Sequence, residues 1–112
     1  MGAFVTGDVV VMPFPFSDLS SNKRRPALVL AELPGDDLIV CQITSQIRPD
    51  PFSATLETDD FMDGNIHFPS LIRINRIFTA ESSLVLYRLG KLKKVKQQEV
   101  HRQIERLFRL DA

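Results

Sequence analysis

"KRRPALVLAELPGDDLIVCQITSQ", residues 23–46, is the stretch on which the reading of the fold turns. Its two apolar runs, "PALVLAEL" and "DLIVCQIT", are short and rich in leucine or β-branched positions, and "PGD" between them is a turn signal with strand-like sequence on both sides. A hairpin is predicted. With Pro34, Gly35 and Asp36 as its loop, the numbers of paired residues sum to about 70, which sets Arg25 opposite Ser45 and diagonally near Thr44. A one-residue change in loop length moves that partner only between Thr44 and Gln46. Pro26 biases Arg25 toward extended backbone and lacks an N–H, so the arginine leaves the ladder where a strand begins. "RRP" and "ITSQ" therefore meet at one end of the hairpin. A guanidinium fork beside hydroxyl and amide side chains at a strand end is a suitable cradle for a phosphate.

Working outward, "GDVVVMPFPF" opens on a turn pair and then runs apolar, as a half-buried strand does. "FSATLET" and "SLIRINRIFT" supply two more strands, and "SLVLYRLGKL" a last one after a turn at "TAESS". Only the tail changes period: Val100, Ile104, Leu107 and Phe108 fall at i, i+4, i+7 and i+8, the stripe of one amphipathic helix. Five or six short strands, proline-rich loops and a terminal helix predict a mostly β, antiparallel barrel rather than βαβ units. "RPDPFS" and "ETDDFMDGNIHFPS", rich in Pro, Gly and Asp, read as mobile loops.

The 112 residues suit a single domain, 1–112, with one modest core. One cysteine, Cys41, excludes an internal disulfide and suits a reducing, cytoplasmic compartment. The N-terminus lacks the pattern of a signal peptide, and no apolar run approaches the roughly 20 residues that span a bilayer. Fourteen basic and fourteen acidic residues cancel, yet they are segregated: residues 32–63 carry one basic and eight acidic side chains, residues 64–112 ten and four. Such segregation is compatible with a basic face for a polyanion.

No zinc pattern, P-loop or dinucleotide fingerprint occurs, so no metal or cofactor is expected. His67 and His101 lie in a loop and a helix, which argues against a two-histidine ribonuclease. Cys41, within "LIVCQI", reads as a packed core thiol. "RLGKLKKVK" reads as a solvated edge whose lysines discourage aggregation. Taken alone, Arg25 fits a solvated surface cation, Thr44 a plain strand residue, and Arg73 and Arg76 decoration of a strand's outer face.

"GDVVVMPFPFSD", "KRRPALVL", "IVCQITSQ" and "SLIRINRIFTAESSLVLYRLGKL", in that order over nearly the whole chain, resemble the PemK/MazF/Kid family of toxins from type II toxin–antitoxin systems. The resemblance implies an SH3-like β-barrel with a C-terminal α-helix, a homodimer, a cognate antitoxin, and cleavage of single-stranded RNA without a metal. It matches Arg25 to the family's catalytic arginine, Thr44 to its catalytic threonine and Arg73 to an arginine that some members use as a general acid. Asp18, Lys23, Arg24, Ser45, Gln46, Asn75 and Arg76 are the expected RNA-contacting residues around them. Where some members carry an aspartate two residues after the strand arginine, this chain has Asn75, and an amide is no carboxylate base. The loop before the RP pair, "SDLSSNK", offers only Asp18 and hydroxyls, which leaves Asp18 or a phosphate-linked water as the base.

The chemistry suits these types. Attack of a ribose 2′-OH on phosphorus needs a proton removed, a crowded dianion stabilised and the 5′ oxygen protonated. Arginine holds two phosphoryl oxygens at once, and threonine adds one hydrogen bond. The leading function is thus a sequence-selective endoribonuclease leaving 2′,3′-cyclic phosphate and 5′-OH ends. A catalytically silent RNA-binding or regulatory barrel and a CcdB-like gyrase poison are the alternatives. Asn75 keeps the first open, and the paired RP and IT-S-Q segments, which a gyrase poison would not need, weigh against the second.

Overall fold

The computed structural model describes residues 4–14 and 23–109. In chain order it contains β1 (Asp8–Pro13), β2 (Arg24–Glu32), β3 (Asp37–Thr44), β4 (Ser53–Leu56), β5 (Phe61–Gly64), β6 (Ser70–Glu81), β7 (Tyr87–Leu92) and α1 (Lys94–Leu107), with short 3₁₀ turns at Thr58–Asp60 and Ser82–Leu84. The strands form one antiparallel sheet, ordered β4-β6-β3-β2-β1-β7-β5, curled into a half-barrel with α1 packed on it.

The β2–β3 hairpin closes on the three-residue loop expected, with the Leu33 N–H donating to the Asp37 carbonyl at 3.0 Å and Gly35 at φ +79°. Glu32 pairs with Leu38 and Ala31 with Ile39, but Leu30 is then an extra, unpaired residue, and beyond it Val29 pairs with Val40 and Ala27 with Gln42. The bulge lowers the pairing sum by one. Continued two residues, the register sets Arg25 opposite Thr44 rather than Ser45. The arginines also remain in a ladder on their other side, where Arg25 pairs with Met12 and Arg24 with Pro13 of β1.

Around β1, β2 and β3 the curled sheet buries side chains on both of its faces. Val9, Leu28, Cys41, Ile43, Leu56, Ile72 and Ile74 form one cluster, which Val100 caps from α1 with Ile104 and Leu107 beside it; Val10, Met12, Ala27, Val29 and Val40 form the other. This explains the uninterrupted "VVVM" of β1: every residue from Asp8 to Met12 is buried, not every second one. The opening "GD" has a mechanical reason as well. Gly7 takes φ +98°, and the buried Asp8 carboxylate accepts from the Val5 N–H at 2.9 Å and from Arg88 Nε at 3.1 Å.

The five or six strands expected are seven among the described residues, and three further expectations are corrected. β5 lies inside the stretch read as a mobile loop. It is a strand because it pairs with β7, and Gly64 and Gly90 approach so closely that a Cβ on either would strike the opposite backbone. Phe108 is the C-cap of α1 and is exposed, off the packed stripe. "RLGKLKKVK" is not an edge: β7 lies between β1 and β5, and Lys96 is buried, donating to the Thr55 carbonyl and to Glu99, each at 2.9 Å.

Candidate functional site

Pleating sends successive side chains of a strand to opposite faces. Where β2 begins and β3 ends, that alternation divides the side chains between two adjoining open clefts. One, of about 280 Å³, is lined by Arg24 and Ser45 together with Ile66, His67, Phe68 and Tyr87. The other, of about 190 Å³, is lined by Gln42, Gln46, Arg48, Arg73 and Arg76, with Phe14 at its border. Arg25 and Thr44 line both, so the pair forms the ridge between an aromatic cleft and a cationic one.

Thr44 is buried and pairs with Leu71 of β6. Its hydroxyl oxygen accepts the Gln46 N–H at 3.1 Å, a local turn that carries Ser45 and Gln46 out to solvent. A hydroxyl used in this way keeps its own hydrogen to donate. Arg25 is half-buried, and its Nε is the one buried side-chain nitrogen or oxygen without a hydrogen-bond partner among the described residues. An unpaired buried donor costs about 1–3 kcal/mol, so the fold carries a local cost at this arginine.

Arg73 reaches the cationic cleft from β6 and is gripped from behind by Asp50, Nε to Oδ2 3.5 Å. Asp50 is itself fixed: its carboxylate accepts the Phe52 N–H at 2.9 Å, and its carbonyl accepts from Ser53 Oγ at 2.9 Å. The Phe52 carbonyl in turn accepts the Ile74 N–H at 2.8 Å, locking the loop before β4 against β6. Arg48, from the same loop, donates to Gln46 Oε1 at 3.4 Å across the cleft mouth. Four guanidiniums, Arg25, Arg48, Arg73 and Arg76, thus line one small concavity, a potential suited to phosphodiester oxygens.

The structure therefore brings Arg25, Thr44, Arg73, Gln46 and Arg76 to one cleft and Arg24 and Ser45 to the other. Lys23 is exposed and lines neither. Asn75 lines instead a neighbouring depression with Ile77 and Phe78, which adjoins the cationic cleft through the shared Gln42 and Arg76. Asp18 lies outside the described residues. Sequence reasoning missed Arg48 and Asp50, and also the whole aromatic wall of His67, Phe68 and Tyr87. That wall exists because β5 adds to β7 and the chain then folds back, with Ser70 Oγ donating to the Phe68 carbonyl at 2.8 Å. The close glycine pair, Gly64 and Gly90, was the available signal.

Burial pushes the Cys41 thiol up to about 12, consistent with a core residue and not a nucleophile. Among the described residues no group of three or more His, Cys, Asp or Glu is placed to hold a metal ion, and no helix is long and apolar enough to cross a membrane.

A family model described as PemK-like, MazF-like toxin of type II toxin–antitoxin system matches residues 6–108. No curated protein sequence matches the chain. Similar solved structures include a mycobacterial endoribonuclease in complex with its cognate antitoxin (TM-score 0.76, 13% identity, 98% of this chain and 99% of that one covered). They also include the Mycobacterium tuberculosis toxin MazF-mt6 (0.72, 17%, 94% and 99%) and a MazE–MazF complex from Deinococcus radiodurans (0.72, 18%, 96% and 97%). At these identities the likeness establishes a shared fold.

Proposed function

The chain belongs to the PemK-like, MazF-like toxin family of type II toxin–antitoxin systems, and from that premise we propose that it is an endoribonuclease that cuts single-stranded RNA at preferred sequences without a metal. The observation that carries the reading is the ridge: Arg25, with its orphaned Nε, beside Thr44, between a cleft shaped for a base and a cleft charged for a backbone.

A phosphodiester on this ridge has two oxygens within reach of the Arg25 fork and one opposite the Thr44 hydroxyl. As the 2′-OH of the preceding ribose attacks, phosphorus becomes five-coordinate and gains charge on those oxygens. Donors already aimed there stabilise that state more than the ground state. The O2′–P bond forms, the P–O5′ bond breaks, and O5′ leaves with a proton, giving a 2′,3′-cyclic phosphate and a 5′-OH. Arg73, held by Asp50, is assigned to the leaving-group side. In-line displacement requires attacking and leaving oxygens on opposite sides of phosphorus, an arrangement that a ridge between two clefts provides. Bases stack against Tyr87 and Phe68, as single-stranded RNA does on aromatic side chains. The toxin acts in the cytoplasm as a homodimer and is held silent by a cognate antitoxin whose acidic segment lies in the same cationic cleft.

The test is incubation of purified protein with single-stranded RNA in excess EDTA, followed by end-group analysis. Cleavage to cyclic phosphate and 5′-OH ends, with DNA of the same sequence bound but uncut, is expected. Intact RNA that still binds would establish the silent barrel instead, and cleavage only on adding metal would overturn the mechanism.

A further inference from the structure

The reaction needs a group that takes the 2′-OH proton, and the residues around the ridge narrow the choice. Neither cleft has a carboxylate among its described lining residues, and the cationic cleft has no histidine. Asp50 sits behind Arg73 rather than in the cleft, and Asn75 is an amide that lines a neighbouring depression. Among the described residues one imidazole remains: His67 lines the aromatic cleft together with Arg25, Thr44 and Tyr87. It is exposed, it follows β5 on a loop whose end is pinned by the Ser70–Phe68 hydrogen bond, and it makes no hydrogen bond or ion pair among the described residues.

Resting on the ribonuclease reading above, we propose that His67 is the general base, accepting the 2′-OH proton on the aromatic side of the ridge while the leaving O5′ faces Arg73 in the cationic cleft. The step balances. The imidazole gains the proton, the O2′ electron pair forms the new bond to phosphorus, and the P–O5′ pair departs with the 5′ oxygen, which takes a proton from the Arg73 guanidinium. The assignment also fixes strand direction. The nucleotide on the 5′ side of the cut occupies the Tyr87 and Phe68 cleft, and the 3′ strand runs over Arg48, Arg73 and Arg76.

The charged and titratable groups around His67 are Arg24 and Arg25 from β2, Tyr87 from β7 and, on its other side, Glu57 and Asp59 at the 3₁₀ turn. Carboxylates, phenols and guanidiniums ordinarily keep one charge state between about pH 6 and 8, and imidazole does not. A rising limb of the pH–rate profile in that window is therefore the signature of an imidazole base, and its loss on substitution identifies the residue.

The experiment is single-turnover cleavage by wild type, His67→Ala, Arg73→Ala and Asp18→Asn, with RNA affinity and thermal unfolding measured alongside. His67→Ala is expected to slow cleavage by about 10²–10⁴-fold with little change in affinity or unfolding midpoint. It should also lose the rising pH limb and recover in part when free imidazole is added. A substrate with sulfur at the 5′ leaving position needs no proton donor. It should leave His67→Ala slow and restore Arg73→Ala.

Wild-type cleavage with an unimpaired His67→Ala, or with a pH limb lost only in Asp18→Asn, overturns the assignment alone. Rescue of His67→Ala by the sulfur substrate makes His67 a proton donor and overturns it as base. A wild-type protein that cuts no RNA removes the ribonuclease reading itself.

Discussion

Replacing Arg25 with methionine separates what the residue does for the reaction from what it costs the fold. Methionine keeps an unbranched stem of comparable reach and so most of the packing, while it removes the guanidinium and with it the unpartnered buried Nε. An unsatisfied buried donor costs about 1–3 kcal/mol. The change also relieves repulsion from Arg48, Arg73 and Arg76, which line the same cleft. Allowing for imperfect packing, we expect a gain of about 1 kcal/mol in stability, or about 4 °C in unfolding midpoint for a chain of this size. Cleavage should move the other way. Loss of one preorganised donor to the developing charge costs about 10²–10³ in kcat, equivalent to about 2.7–4 kcal/mol. Arg25→Lys should recover little, since a point charge cannot hold two oxygens in one plane. Urea unfolding and single-turnover cleavage on the same preparations read both quantities. A variant less stable than wild type by more than about 1 kcal/mol, or one that still cuts within a few-fold of it, would refute the reasoning.

Two further outcomes follow from the geometry. RNA affinity should fall steeply with salt, and Arg48→Ala or Arg76→Ala should each flatten the logarithmic slope by about 0.7, whereas Lys23→Ala, outside both clefts, should leave it unchanged; equal slopes in all four proteins would mean that the cationic cleft does not carry the phosphates. Cys41 is raised from an ordinary value near 9.0 to about 12 by burial, so the folded state holds its proton where the unfolded state releases it. The thiol's contribution is therefore fully present below about pH 9 and lost progressively toward about pH 12. Cys41→Ala should show a shallower alkaline loss of stability in urea titrations at pH 8 to 11, and an identical pH slope in the two proteins would contradict this.

The parts of the site legible in the sequence are those that local chemistry encodes. Arg25 and Thr44 meet because Pro34, Gly35 and Asp36 close a hairpin and because alternation does the rest; even the error of one position at Ser45 came from a bulge at Leu30 that has no turn residue to announce it. The helix was legible through Val100, Ile104 and Leu107, whose period needs no distant partner. β5 was not, since "FMDG" buries only Phe61 and owes its conformation to β7. Asp50, Arg48 and His67 share that difficulty. They sit on loops, and their positions come from a carbonyl on Phe52, a serine at position 70 and a pair of glycines, none of which advertises its partner along the chain.

The place of β1 in the sheet sets a timetable for synthesis. It is made before the other described strands, and it lies between β2 and β7, so its second neighbour arrives 83 residues later, when Lys91 comes opposite Asp8. At ribosomal speeds of about 5–20 residues per second, that interval is about 4–17 s, during which the valine run has one edge open. The aromatic wall that β7 and β5 supply is completed in the same closing step. A nascent or truncated chain therefore lacks a finished cleft until translation has passed β7.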